Sequence, residues 1–220
     1  MEPFSYTLIR SSRRTVALQV ERDGSVVVRA PLRMARRDID AFLASRADWL
    51  SRALARVREQ AAQSPVLTVA EGAQLPWLDE TLTLRLEPRR GARREGPLLL
   101  LPEDAPERAL EAWARREART WLAERTALFA LRMGVSPSGM KITGARTRWG
   151  SCSSRNSLNF TWRLMLCPSA LADYVVVHEL AHICRKDHSP AFWAQVEAVL
   201  PDWRERRRAL NRRQFIMDFL

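Results

Sequence analysis

The stretch YVVVHELAHICRKDHSPAFW, Tyr174 to Trp193, contains all three histidines of a 220-residue chain. Tyr174 to Val177 form an apolar run before His178-Glu179-Leu180-Ala181-His182, and Leu171, Leu180 and Ile183 extend it at helical spacing. Pro168-Ser169 opens the segment as a helix start. The segment therefore predicts a helix set into a core.

Residues four apart on a helix lie about 40° out of alignment and one turn apart in rise. His178 and His182 thus project from one face and can share a metal ion. Glu179 stands about 100° round from His178, within reach of a water at such an ion without having to ligate it. That is the position of a general base. A catalytic zinc takes three protein ligands and keeps one position open. Lys186-Asp187 lets the chain leave the helix, Ser189-Pro190 reads as the N-cap and first-turn proline of the next helix, and the turn between them returns His188 as the third ligand. One zinc ion per chain, held by His178, His182 and His188, is expected, with Glu179 catalytic. The bland reading of HExxH is a salt-bridged helix surface, and the clustering of every histidine in this one segment argues against it.

Outward from this helix, Ser157 to Leu166 alternates apolar and polar residues and predicts a half-buried strand. A short strand is also expected at Met140 to Thr143. The turn-rich ARTRWGSCSSRN lies between them. Pro106 begins a long helix to about Met133, with Leu110, Trp113, Ala114, Trp121, Leu128 and Leu131 on its buried side. Short runs at Val66 to Val69, Thr81 to Leu86 and Pro97 to Leu101 suggest a small sheet, with Glu87 to Gly96 as a mobile polar loop. Ser64-Pro65 breaks the pattern before them. Ala35 to about Glu59 reads as one amphipathic helix whose stripe Trp49 widens. Thr15 to Ala30 alternates on both sides of Asp23-Gly24, a hairpin signal. The fold class is α+β, with regions 1–103 and 104–220.

Composition narrows the classes. Hydrophobic residues are 46% and charged residues 28%, as in an ordinary globular protein rather than a disordered one. No apolar run reaches the roughly 20 residues of a membrane span, and MEPFSYTLIR lacks the order of a secretory signal, so a cytoplasmic protein with no membrane partner is expected. Cys152, Cys167 and Cys184 are an odd set at spacings that fit reduced thiols. The net charge of +11 rests on arginine, since Lys141 and Lys186 are the only lysines. A nucleotide or nucleic acid is therefore a second partner class beside a peptide or protein substrate.

The segment RTRWGSCSSRNSLNFTWRLMLCPSALADYVVVHELAHICRKDHSPAFW, from Arg146 to Trp193, resembles the signature region of the YgjP-like metallopeptidase-domain family, itself related to the SprT and WLM zincins. VERDGSVVVRAPLRMARRDIDAFLASRADWL, from Val20 to Leu50, is similar to the family's opening hairpin and helix. The sequence departs from the family's pattern at Asp79, where glycine is usual. The resemblance implies a zinc-dependent hydrolase and metallopeptidase. It also implies a zincin-like domain over 104–220 with a sheet packed on the metal-binding helix, the same three histidine ligands, and Glu179 as the catalytic glutamate. Zincin substrates lie along a strand edge, for which Ser157 to Leu166 is the candidate. Arg148, Arg163 and Tyr174 are candidates to stabilise an oxyanion. A nucleotide phosphoanhydride hydrolase and a nucleic-acid-associated protease are the alternative functions that the arginine excess suits.

Overall fold

The computed structural model describes residues 5–21, 24–63 and 66–220. Contacts divide the chain into two compact units, Met1–Pro65 and Val66–Leu220. The architecture is α+β, with six α-helices and three small sheets among the described residues. None of these helices is long and apolar enough to cross a membrane.

In the first unit β1 (Thr7–Ser11), β2 (Ala17–Val20) and β3 (Val26–Pro31) form a sheet with β3 in the middle. Val26, Val28 and Ala30 are buried while Arg29 is exposed, which is the period-two pattern of a strand covered on one face. β2 and β3 make the expected antiparallel hairpin, with Val20 opposite Val26. Gly24 holds a positive φ of 83° in its turn, while Arg22 and Asp23 lie outside the described residues. β1, which sequence patterning did not suggest, pairs parallel to β3.

The single helix expected from Ala35 is two, α1 (Arg36–Ser45) and α2 (Ala47–Gln63). Ser45 ends the first by donating its hydroxyl to Phe42 O at 2.7 Å, a local bond that competes with helix continuation. Ile39 and Leu50 are buried as expected, but Trp49 is exposed.

In the second unit β4 (Gln74–Trp77), β5 (Glu80–Glu87), β6 (Arg93–Glu95) and β7 (Leu98–Pro102) form a sheet ordered β4-β5-β7-β6. Val66 to Val69 is irregular rather than a strand. The expected polar loop at Glu87 to Gly96 contains β6, which pairs antiparallel to β7. Leu82, Leu84, Leu99 and Leu101 of this sheet are fully buried, each worth about 1.5–3 kcal/mol of apolar burial. They join one core with the long helix α3 (Pro106–Met133), and Trp77 packs on Trp113 with ring centroids 4.4 Å apart. A shared core explains why the observed division falls at Pro65–Val66 and not between residues 103 and 104.

α3 ends at Gly134, whose φ of 63° is the left-handed conformation that suits glycine at a helix C-terminus. Leu110, Ala114, Ala118, Leu122, Thr126 and Ala130 are its buried residues at four-residue steps. Each step advances the covered face by about 40°. The face therefore winds around α3 along its length, and Leu131, expected inside, is 83% exposed.

The third sheet holds β8 (Gly139–Thr143), β9 (Gly150–Cys152) and β10 (Ser157–Thr161) in the order β8-β10-β9. β10 ends at Thr161, because Trp162–Leu166 turns into a 3-10 helix in which all five residues are buried. A half-buried strand has no place for such a run. β10 is also the central strand of its sheet, so it offers no free edge.

Next comes α4 (Ser169–Cys184), followed by α5 (Pro190–Val199), α6 (Trp203–Asn211) and a 3-10 turn at Gln214–Asp218. Val175, Val176 and Val177 are all buried, as in a helix enclosed on every side. Two polar contacts anchor α4. Arg125 on α3 grips Asp173 with two bonds of 2.7 and 2.6 Å, and Ser169 N donates to the Asp79 carboxylate at 3.0 Å. Asp79 sits in the turn between β4 and β5 and places a negative charge at the start of α4, where a helix favours one.

Arg163 is 1% exposed and donates to Phe219 O at 2.8 Å, to Gly144 O at 3.1 Å and to Leu220 O. Burial lowers its pKa to about 10, so it stays charged at neutral pH. Arg163→Ala should leave these carbonyls without a donor in the core and cost about 3 kcal/mol, read from the urea midpoint. A cost below about 1 kcal/mol would show that water reaches them.

Candidate active site

α4 brings His178 and His182 to one face near its C-terminal end. The side chain of Ser189 accepts from Phe192 N at 3.4 Å and starts α5, which turns the intervening chain back so that His188 faces both. One nitrogen from each of the three histidines lies within 4.8 Å of the other two. His178 Nε2 and His188 Nε2 are 3.2 Å apart.

The protonation of His178 and His182 suits a cation. Burial, then the charges of His182, His188 and Arg207, lowers the His178 pKa to about 3, and burial likewise lowers that of His182. His182 Nδ1 lies 3.0 Å from Arg185 O, so in the tautomer that donates there its Nε2 lone pair is free. The facing Nε2 atoms of His178 and His188, 3.2 Å apart, need a proton or a cation between them. A tetrahedral ion with Zn–N of about 2.0–2.1 Å spaces its ligands by about 3.3 Å. The His178–His188 spacing matches that value, and the three nitrogens together could hold a divalent cation.

Glu179 is 6% exposed and has no ion pair within 4 Å among the described residues. Burial pushes its pKa up to about 7, against the opposing pull of the Arg148 charge and of a hydrogen bond from the Cys152 backbone N–H. A carboxyl poised there exchanges protons readily at neutral pH. Gly150 makes room for it: a Cβ at this position would stand 2.8 Å from Glu179 Cγ and 2.9 Å from its Oε1. Composition and spacing gave no signal of this contact, since a glycine between Trp149 and Ser151 reads as any turn glycine.

β9 is the edge strand beside α4. Trp149 O and Ser153 N bond toward the β10 side, so alternation turns the backbone of Gly150 and Cys152 to the open edge. Lys186 ties this hairpin to the chain that carries His188, donating to Ser153 O at 2.9 Å and Asn156 Oδ1 at 2.8 Å and lying 3.3 Å from Cys152 Sγ. Cys152 and Cys184 stand outside the histidine cluster.

A pocket of about 250 Å³ opens beside Glu179 and His178, with Tyr174, Arg148, Arg207 and Leu210 on its wall. A second, of about 390 Å³, extends over the sheet past Ser151, Asn159 and Thr161, and the two share Arg148, Trp149 and Gly150. Of the oxyanion candidates, Arg148 and Tyr174 line the first pocket, and Tyr174 remains a neutral phenol because burial raises its pKa to about 12. Arg163 does not belong with them: its guanidinium is spent on backbone carbonyls in the core.

The family model described as YgjP-like, metallopeptidase domain matches residues 14–213. The crystal structure of the metallopeptidase zymogen of Pyrococcus abyssi abylysin is similar over 40% of this chain and 90% of that chain, with 19% identity and a TM-score of 0.38, too low for any argument about fold. No curated protein matches.

Purified without added metal, His178→Ala, His182→Ala and His188→Ala should each fall well below one equivalent of bound metal by elemental analysis. The helices should persist by circular dichroism, because α4 is held by apolar burial rather than by an ion. Full metal content in His188→Ala would remove it from the ligand set.

Proposed function

The chain belongs to the YgjP-like metallopeptidase-domain family, and from that membership we propose that it is a zinc-dependent peptidase with a zincin-type site. In this reading His178, His182 and His188 hold the ion and Glu179 is the general base. The observation that carries it is the convergence of three imidazole nitrogens within 4.8 Å on the helix that also carries a buried carboxyl. The ion, when bound, supplies a Lewis acid that polarises the scissile carbonyl and acidifies water.

The chain's own groups supply the rest. Glu179 accepts the proton of the attacking water and returns it to the leaving amine, a transfer favoured by a pKa near the working pH. The Cys152 N–H and the absence of a side chain at Gly150 hold the carboxylate in place. An extended peptide pairs with the Gly150 backbone on the outer edge of β9, where the Cys152 N–H is held by Glu179, in place of the strand at Ser157 to Leu166. The Tyr174 phenol and the Arg148 guanidinium are the donors for the oxyanion.

Glu179→Gln should keep wild-type metal content while peptide hydrolysis falls by about 100-fold, the scale of a lost general base. Fluorescent release of amines from casein, with and without a chelator, measures it. Gly150→Ala should behave similarly, with metal retained and turnover reduced at least about 10-fold, because its Cβ displaces Glu179 and not the histidines. Phosphate release from nucleoside triphosphates without any peptide cleavage would overturn the peptidase reading.

A further inference from the structure

The pocket beside Glu179 has more cationic than anionic side chains on its wall. Its lining holds two guanidinium groups, Arg148 and Arg207, and among the described residues Glu179 is the only carboxyl on its wall. Neither Arg148 nor Arg207 takes part in a salt bridge or side-chain hydrogen bond among the described residues, whereas neighbouring arginines of α6 do. Arg204 pairs with Glu197 at 2.6 Å, and Arg206 bonds Asp202 and Ala170 O, each at 2.8 Å.

Arg207 is nonetheless held in position. Its guanidinium lies 5.1 Å over the Trp193 ring, and Trp193 in turn stacks on the buried Trp203 at 4.1 Å and 12°. A guanidinium resting on an indole face keeps its N–H edges free, in the planar fork that matches a carboxylate. The cation is thus oriented but without an anion, at the mouth of the site.

We propose that this pocket is a subsite for a carboxylate of the peptide substrate, received by Arg207. The inference rests on the peptidase reading for its choice of substrate. The carboxylate is either an Asp or Glu side chain next to the scissile bond or the free C-terminus of a short peptide. A volume of about 250 Å³ accommodates either group.

Three N-acetylated peptides separate these sources: Ac-Ala-Glu-Ala-NH2, Ac-Ala-Gln-Ala-NH2 and Ac-Ala-Gln-Ala-OH. Their binding to zinc-loaded Glu179→Gln protein is read by calorimetry, alone and combined with Arg207→Met, which keeps an apolar stem against Trp193. The expected result is about 10-fold tighter binding of one carboxylate-bearing peptide over the neutral one, collapsing to near unity with Arg207→Met. The first peptide winning assigns a side-chain subsite, and the third a C-terminal one. Because the readout is a ratio within one protein, a general loss of folded material does not imitate it. Arg207→Glu should reverse the preference toward Ac-Ala-Lys-Ala-NH2.

Cleavage of a proteome-derived peptide library by the wild type tests the underlying activity separately. Cleavage without a preference for carboxylates, together with equal binding of the three peptides, overturns the subsite and leaves the peptidase intact. An Arg207-dependent binding preference with no cleavage of any peptide upholds the subsite and overturns the peptidase. A carboxylate preference that Arg207→Met retains overturns the assignment to Arg207.

Discussion

A helix with no polar face has to carry polar chemistry, and the second unit is organised around that conflict. α4 is buried along Leu171 to Val177 and again at Leu180 and Ala181, so α3, α5, α6 and β9 all pack on it. Such enclosure fixes the backbone that presents His178, Glu179 and His182 far more firmly than local helix propensity could. It also keeps water away from the groups that do not need it. The two polar anchors, Arg125 with Asp173 and Asp79 with Ser169 N, lie toward the start of the helix and leave its C-terminal end to the histidines.

The same burial sets the electrostatics of the site. Glu179 receives one backbone N–H and a distant guanidinium charge, which do not cancel the cost of taking its charge out of water, so its pKa stays high. His178 is driven the other way for the same reason, since burial penalises the imidazolium. One helix thus holds an acid made weaker and a base made weaker, adjacent in sequence, with no strong ion pair between them.

Features set by local periodicity could be read from the sequence, and features set by tertiary contact could not. Pro106, Pro168 and Ser189-Pro190 marked helix starts because each acts on its own backbone. The three histidines were legible because two share a helix face and the third follows a turn with its own cap. β9 was hidden, being three residues, Gly-Ser-Cys, with no strand propensity; pairing with β10 alone makes it a strand. The alternation after Ser157 misled at Trp162, where burial of every residue in turn replaced burial of every second one. Leu131 misled because the covered face of a 28-residue helix rotates away from where it began. The proximity of Gly150 to Glu179 joins residues far apart in sequence and left no local trace.

The bonds of Arg163 also bear on the order in which the chain is synthesised. Its partners Phe219 and Leu220 are made 56 and 57 residues later, after α4, α5 and α6 have all been translated. Until those two residues clear the ribosome, the guanidinium has only Gly144 O from this set of acceptors. The histidine helix lies wholly inside that interval. Completion of this part of the core therefore waits on residues 219 and 220, and a nascent chain stalled before residue 219 carries the HELAH segment without those two bonds.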